Sequence, residues 1–228
     1  MKTENPKCET CATRHLSPFA MCGKDEVENI SFSKSCNYYS KGQYIFSENS
    51  LPIGLFCVSK GHIKIVKYGA GGKEQILRIA NAGDVLGYRS LVVGKRYSVS
   101  AVAITDAAVC ILPRKEFLNM LQNNPKFHQE ILNLICKEAE VTENRMTDIA
   151  YKPAKGRIAD ALLLLNQSKN DQEIQLSREE LASYAGIVKE TAIRILSELK
   201  KDELIKITKR KIQILDIDAL VQLSHQYD

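Results

Sequence analysis

No stretch of this chain is apolar enough, for long enough, to cross a bilayer. The longest leucine run, residues 162–165, is only four residues, against about 20 for a spanning helix. The opening MKTENPKCETC is polar and lacks the apolar core of an export signal, so a cytoplasmic protein is expected. Neither charge sign dominates: 32 Lys and Arg face 27 Asp and Glu, a net charge of +5. That balance permits a polyanionic partner without requiring one. Histidine is scarce, with four in the chain, and His15 and His62 are isolated, which leaves little to build a haem site on. No Ser/His/Asp triad and no paired carboxylates accompany the cysteines, which argues against an enzyme. What is plentiful is cysteine. Seven in 228 residues, without an export signal, point away from a disulfide scaffold and towards buried thiols, a metal site or redox chemistry. The length suits one large or two ordinary domains.

The first segment, residues 1–29, carries Cys8, Cys11 and Cys22 with weak periodicity. A loop or short helix is expected there, ordered by something it binds. From about 30 the pattern becomes β. Runs at 44–46, 55–59, 63–68, 75–79, 99–104 and 109–112 are rich in β-branched and aromatic residues, and turn residues separate them. Many short strands at even spacing indicate a sandwich or barrel, assigned to residues 30–124. Helical periodicity follows. Leu132, Ile135, Ala139, Thr142, Met146 and Ile149 recur at spacings of three and four, a heptad seam. The stripe is narrow and includes Thr142, so a two-stranded seam, hence a homodimer, is favoured over a helix packed on its own domain. Tyr151, Lys152 and Pro153 end the helix as a hinge, which bounds a segment at 125–152.

Residues 153–228 read as a small α+β module: a helix at 157–166, a polar loop at 167–171, two short helices, then alternating strands at 204–207 and 211–215. The two helices lie in 177–200. Ser177 and Glu180 have the S-x-x-E spacing of a capping box. Gly186 can take the left-handed conformation of a sharp turn. Ala192, Ile195, Leu196 and Leu199 face inward, which leaves Lys189, Glu190, Ile193 and Arg194 outside. A charged tip on a core-packed second helix is what a helix-turn-helix offers a major groove. An ordinary helical hairpin with a solvated face fits the stretch equally well by itself. The strands around Thr208, Lys209 and Arg210 form a basic hairpin, a wing.

The order of parts resembles the CRP/FNR family of bacterial transcription regulators across essentially the whole chain. The carriers are K-G-x-x-I-F at 41–46, G-x-I-K at 61–64, G-D-x-x-G at 83–87 and L-A-x-Y-x-G-x-x-x-E-T-x-x-R-x-L at 181–196. The resemblance implies an α+β fold: an N-terminal β-roll of the cyclic-nucleotide-binding jelly-roll type, a long dimerisation helix and a C-terminal winged helix-turn-helix. It also implies RNA polymerase as a partner. In the family a Glu and an Arg at the positions of Glu190 and Arg194 read a TGA-type core in each half of a palindrome. The chemistry agrees: a guanidinium can pair with guanine O6 and N7, and a carboxylate can accept from a cytosine amino group. Four residues apart, the two can brace each other. Lys189 suits a phosphate or a further base, and Ile193 could touch a thymine methyl where FNR-type relatives carry a polar residue. Ser177, Thr191, Lys209 and Arg210 complete the candidate DNA contacts.

For the sensor, the family offers two chemistries. Nucleotide-binding members carry Gly-Glu and Arg-Ser or Arg-Thr pairs. Here those positions read Gly87–Tyr88 and Tyr97–Ser98, with Arg96 one position early, which argues against cyclic AMP. Arg89 and Arg96 leave room for another anion. FNR-type members hold a [4Fe–4S] cluster on three N-terminal cysteines and one from the β-roll. Cys8 and Cys11 have the C-x2-C pitch that brings two thiolates to one metal centre. Cys110 matches the β-roll ligand. Positions 16 and 17, where the best-known pattern puts the third, hold Leu16 and Ser17, so Cys22 is the nearest candidate. Oxygen or nitric oxide is the signal this implies. Structural zinc, a thiol switch and plain buried thiols remain open beside it, and Cys36, Cys57 and Cys136 read as packing residues. A cyclic-nucleotide-type module that regulates a partner protein is the alternative to a DNA reader, and the wing argues against it.

Overall fold

The computed structural model describes residues 6–166, 176–208 and 211–225. The expected loop at 167–171 and the wing-tip residues Lys209 and Arg210 lie outside them. Among the described residues no helix is long and apolar enough to cross a membrane.

Two 3-10 turns, Arg14–Leu16 and Pro18–Met21, precede helix α1 (Lys24–Ser33). The strands β1 (Ser35–Tyr39), β2 (Tyr44–Phe46), β3 (Gly54–Lys60), β4 (Ile63–Tyr68), β5 (Glu74–Ala80) and β6 (Val85–Leu86) follow. After a short helix α2 (Tyr88–Val93) come β7 (Ser100–Ala103) and β8 (Ala107–Pro113). The strands form two four-stranded antiparallel sheets, ordered β1-β8-β3-β6 and β2-β7-β4-β5. Alternation along each strand sends one face inward. Phe56, Val58 and Val109 from one sheet meet Phe46, Ile63, Ile65 and Ala101 from the other in a shared core. This is the expected jelly roll.

Where the β-rich stretch departs from expectation, the reasons are local. Residue 30, expected to open the β region, is the inner face of α1, because Val27 and Ile30 alone are buried there while Phe32 is exposed. Strand β1 went unread because it is mostly exposed and its sequence, SCNYY, has no apolar alternation. Strand β6 has two residues, too short for periodicity.

A second core lies on the outer side of the β1-β8-β3-β6 sheet. Helix α3 (Arg114–Asn123) and the start of α4 (Pro125–Tyr151) bring Phe117, Phe127 and Ile131 against Leu55, Leu112, Ile30 and Phe19. Phe127 stacks on Phe19 at 5.4 Å between ring centroids and meets Phe117 edge-on at 6.1 Å. Each such ring buried contributes roughly 1.5–3 kcal/mol, so the N-terminal segment is anchored through Phe19 rather than trailing free. At Gly83, which has φ +101°, an added Cβ would lie 2.6 Å from Leu16 Cβ. The N-terminal segment therefore packs directly on this corner.

Helix α4 is 27 residues long, about 40 Å at 1.5 Å per residue. Its expected seam is exposed on the single chain: Leu132, Ala139, Thr142, Met146 and Ile149 all face solvent, and Ile135 is half-buried. Lys152 and Pro153 separate α4 from α5 (Ala154–Asn166), as the hinge pattern indicates. Then come α6 (Arg178–Ala185), α7 (Lys189–Lys201), the paired strands β9 (Ile205–Thr208) and β10 (Lys211–Ile214), and α8 (Ile217–His225). The closing helix α8 was not expected. Its signal was present, because Asp216 Oδ1 accepts from the Ala219 backbone N–H at 2.9 Å, an N-cap.

The chain divides into two compact units. One is residues 1–67 with 77–139, and the other is residues 68–76 with 140–228.

Candidate nucleic-acid interface and thiol pocket

In the second unit, α6 starts at a reciprocal cap. The Ser177 hydroxyl accepts from Glu180 N–H at 3.1 Å, and the Glu180 carboxylate accepts from Ser177 N–H at 2.9 Å. The helix ends at Gly186, with φ 64° and ψ 40°, a left-handed conformation that a side chain would disfavour. The turn delivers α7 with Ala192, Ile195, Leu196 and Leu199 buried. The opposite face carries Lys189, Glu190, Ile193 and Arg194, all exposed. Thr191 and Ser177 sit half-buried beside it.

Two side-chain pairings fix this face. Lys189 Nζ lies 3.2 Å from Glu179 Oε2, tying the start of α7 to α6. Arg194 Nη1 lies 2.7 Å from Glu198 Oε1. The expected bracing of Arg194 by Glu190 is therefore replaced by Glu198, one turn further on. Glu190 occupies the first turn of α7, where unpaired backbone N–H groups favour a carboxylate, and its carboxylate is left exposed. Both ion pairs are solvent-facing and worth at most about 1 kcal/mol, so a phosphate or base edge can displace them.

Two arginines missed by sequence reading steady the module. Arg157 Nε donates to Ala185 O at 3.0 Å, and its Nη1 donates to Ile149 O and Lys152 O, both at 2.9 Å. Arg145 donates to Tyr184 O, with its guanidinium 4.4 Å from the centre of the Tyr184 ring. Cations on the last carbonyls of a helix stabilise its C-terminus, here the end of α6 just before the turn. Lone arginines on helices carry no sequence signal for this.

In the first unit, a cavity of about 50 Å³ lies under the N-terminal segment. Cys8, Cys11, Cys57, Cys110 and Lys34 are among the residues that line it. Strand register explains the convergence. Cys36 and Cys57 are both direct partners of Cys110, across β1–β8 and β3–β8. Directly opposed residues share a sheet face, so three cysteines form a row across three strands. Cys36 and Cys110 are joined as a disulfide, so Cys36 is more than the packing residue expected. Lys34 is buried, and its ammonium donates to Cys36 Sγ at 3.3 Å, towards Cys110 Sγ at 3.7 Å and to Pro6 O. Burial raises the Cys8 thiol pKa, with the Lys34 charge opposing. Burial also raises Cys57. Cys22 is not among the residues that line the cavity. It packs against the second core, where burial and then Glu26 push its thiol up to about 12.

Among the described residues no three His, Cys, Asp or Glu side chains are close enough to grip a single metal ion. The donor chemistry itself, several sulfurs in largely apolar surroundings with Arg14 and Lys34 on the wall, suits a soft metal or an iron–sulfur cluster. A cluster also holds its thiolates further apart than one ion does.

Where the resemblance places nucleotide-binding residues, the interior is filled. Tyr97 is buried and stacks on Phe46 at 4.1 Å between centroids, and burial pushes its phenol up to about 12. Tyr88 is also buried, and burial and then the Glu138 charge raise its phenol. Arg96 donates to Asn49 O at 2.8 Å. Arg78 and Arg89 reach Glu138 on α4 at 3.0 and 3.7 Å.

A jelly roll, a long helix and a C-terminal helix-turn-helix together define a two-part transcription regulator. Residues 36–124 match the cyclic nucleotide-binding domain, and residues 156–223 match the Crp-like helix-turn-helix domain. The chain belongs to the CRP/FNR family of DNA-binding transcription regulators. It is 27% identical to the transcriptional activatory protein AadR of Rhodopseudomonas palustris over 231 residues, covering 95% of this chain and 94% of that protein. It is likewise 27% identical to the transcriptional activator FnrL of Cereibacter sphaeroides, with 95% and 91% covered. The FixK2 structure from Bradyrhizobium japonicum shares the fold, with a TM-score of 0.76 at 24% identity over 83% of this chain and 96% of that one.

Proposed function

We propose that this regulator works as a cytoplasmic homodimer that reads a palindrome with a TGA-type core and answers oxygen, nitric oxide or redox state through its thiol pocket. The observation that carries the DNA part is the exposed face of α7, with Lys189, Glu190, Ile193 and Arg194 held outward by four buried residues. Arg194 and Glu190 read the core bases, and Ile193 meets a thymine methyl. Lys189, Thr191 and Ser177, with Lys209 and Arg210 of the wing, supply further contacts, chiefly to backbone phosphates. The exposed seam of α4 supports dimerisation, because an apolar stripe at heptad spacing finds its cover in a second copy. Two copies related by a two-fold axis read half-sites about one helical turn apart. RNA polymerase is the partner that the relatives described as activators suggest.

For the sensor, Cys8, Cys11 and Cys110 are the proposed core of a [4Fe–4S] site. Such a group, when bound, supplies reactivity towards oxygen and nitric oxide. The chain holds it with thiolates, shields it with the apolar walls of the cavity and offsets part of its negative charge with Lys34. The pocket lies against α1, the sheet and the packing of Phe19 on Phe127 at the start of α4. Its loss can thus be felt on the dimerisation helix. Cyclic AMP is set aside, because Tyr97 fills the roll and Arg96 is engaged by a backbone carbonyl. A thiol switch without a metal is the second reading, and the Cys36–Cys110 bond favours it.

Selection from a random duplex library by oxygen-free protein tests the DNA part. Enrichment of an inverted repeat with a TGA-type core is the expected result, and recovery without enrichment would contradict it. Metal and sulfide analysis of the same preparation separates the two sensor readings.

A further inference from the structure

Resting on the iron–sulfur reading, we propose that Cys57, and not Cys22, is the fourth thiolate of the site, beside Cys8, Cys11 and Cys110. Sequence spacing favours Cys22 because it is near in the chain. The fold reverses that choice. Cys57 is the cross-strand partner of Cys110, so the two thiols leave the same face of the sheet side by side. Both line the cavity, as do Cys8 and Cys11. Four cysteines from two sequence-local and two sequence-distant positions thus surround one space, with the Lys34 ammonium at its edge. A four-thiolate site carries excess negative charge, and a buried cation beside it lowers the cost of gathering those charges in a medium of low polarity.

Cys22 occupies a different setting. It follows the 3-10 turn Pro18–Met21, between Glu26 and Arg14, and although it packs on the same apolar cluster as Cys8 and Cys57, it is off the cavity wall that those two share with Cys11 and Cys110. Cys36 is the remaining competitor. It pairs with Cys110 on the other side and is not on the cavity wall. Its bond to Cys110 must open before Cys110 can serve as a ligand. A dithiol reductant does this by transferring two electrons and two protons to the S–S bond, giving two thiols while the dithiol closes to its own disulfide.

The cavity in its present form is water-sized, so loading moves the N-terminal segment outward. That segment is held to α1 and the sheet by side-chain contacts: Cys8 N–H to Ser31 Oγ at 3.0 Å, Lys34 to Pro6 O, and Leu16 on Gly83. Among its described residues no strand joins it to the roll, so the movement breaks no ladder there.

The test is oxygen-free reconstitution of the full-length chain with ferrous iron, sulfide and dithiothreitol. The proteins are the wild type, Cys57→Ser, Cys22→Ser and Cys36→Ser, and the readouts are iron, acid-labile sulfide and visible absorption. The wild type, Cys22→Ser and Cys36→Ser are expected to load to the same [4Fe–4S] content, and Cys57→Ser to lose it. Full loading of Cys57→Ser beside a loaded wild type overturns the assignment and leaves the iron–sulfur reading standing. A wild type that takes up neither iron nor sulfide overturns that reading itself. Circular dichroism of the metal-free variants reports folding. Should Cys57→Ser not fold, Cys22→Ser decides alone: folded and fully loaded it supports Cys57, folded and empty it overturns it.

Discussion

The recognition helix and the thiol pocket solve opposite problems. Helix α7 must present polar groups to a partner, so its chemistry lies exposed, within six consecutive positions, on a face fixed by Ala192, Ile195, Leu196 and Leu199 behind it. Its ion pairs, Lys189 with Glu179 and Arg194 with Glu198, are solvent-facing. The pocket must hide its chemistry. Its sulfurs come from the N-terminal segment, β3 and β8, and they meet only because the sheet register and the Phe19 anchor bring them together. The proposed DNA-reading surface is thus a local product of helix periodicity, whereas the thiol pocket is a product of the whole fold. Disturbing a few side chains should change what α7 reads without touching the pocket, and the converse should hold for single cysteines.

The largest effect that would sharpen this contrast is at Cys110. Cys110→Ser, purified without oxygen, should lose its iron, sulfide and colour altogether while its circular dichroism stays that of the metal-free wild type. Retained colour would remove Cys110 from the site. Next is the seam. Met146→Glu places a charge on an exposed apolar stripe. Sedimentation should show a shift to monomer, whereas chain stability should move by no more than about 0.5 kcal/mol. A dimer of unchanged affinity would mean that the contact lies elsewhere.

Arg194→Ala should cost about 1–3 kcal/mol at the core guanine and relax base preference there. Competition titrations against all four bases at that position measure it, and iron content should not change. The smallest expected effect is at the cap. Ser177→Ala removes the acceptor for Glu180 N–H and should lower stability by about 1 kcal/mol, seen as a lower Tm in calorimetry. An unchanged Tm would show that the Glu180 half of the box suffices.

Legibility from sequence follows the same divide. The capping box, the turn at Gly186, the inward residues of α7, the apolar stripe along α4 and the break at Pro153 all rest on short-range spacing. The structure carries each of them as local geometry. The Cys36–Cys110–Cys57 row could not be read, because partners 74 residues apart in the case of the disulfide are chosen by strand register, and β1 shows no alternation to reveal its register. The misjudged partner of Arg194 has a subtler origin. Glu190 and Glu198 are both four positions away, and only the demand for an acid in the first turn of α7 separates them. Arg145 and Arg157 act on backbone carbonyls, which leave no mark in a residue pattern.

Sequence reading by the exposed face of α7 is what everything proposed for this regulator depends on. The most direct measurement is an equilibrium titration of the oxygen-free protein at one fixed salt concentration against a palindromic duplex with the TGA-type core and against its scrambled counterpart. A preference of about 10³-fold or more for the palindrome is expected. Equal affinity for the two duplexes would contradict the account.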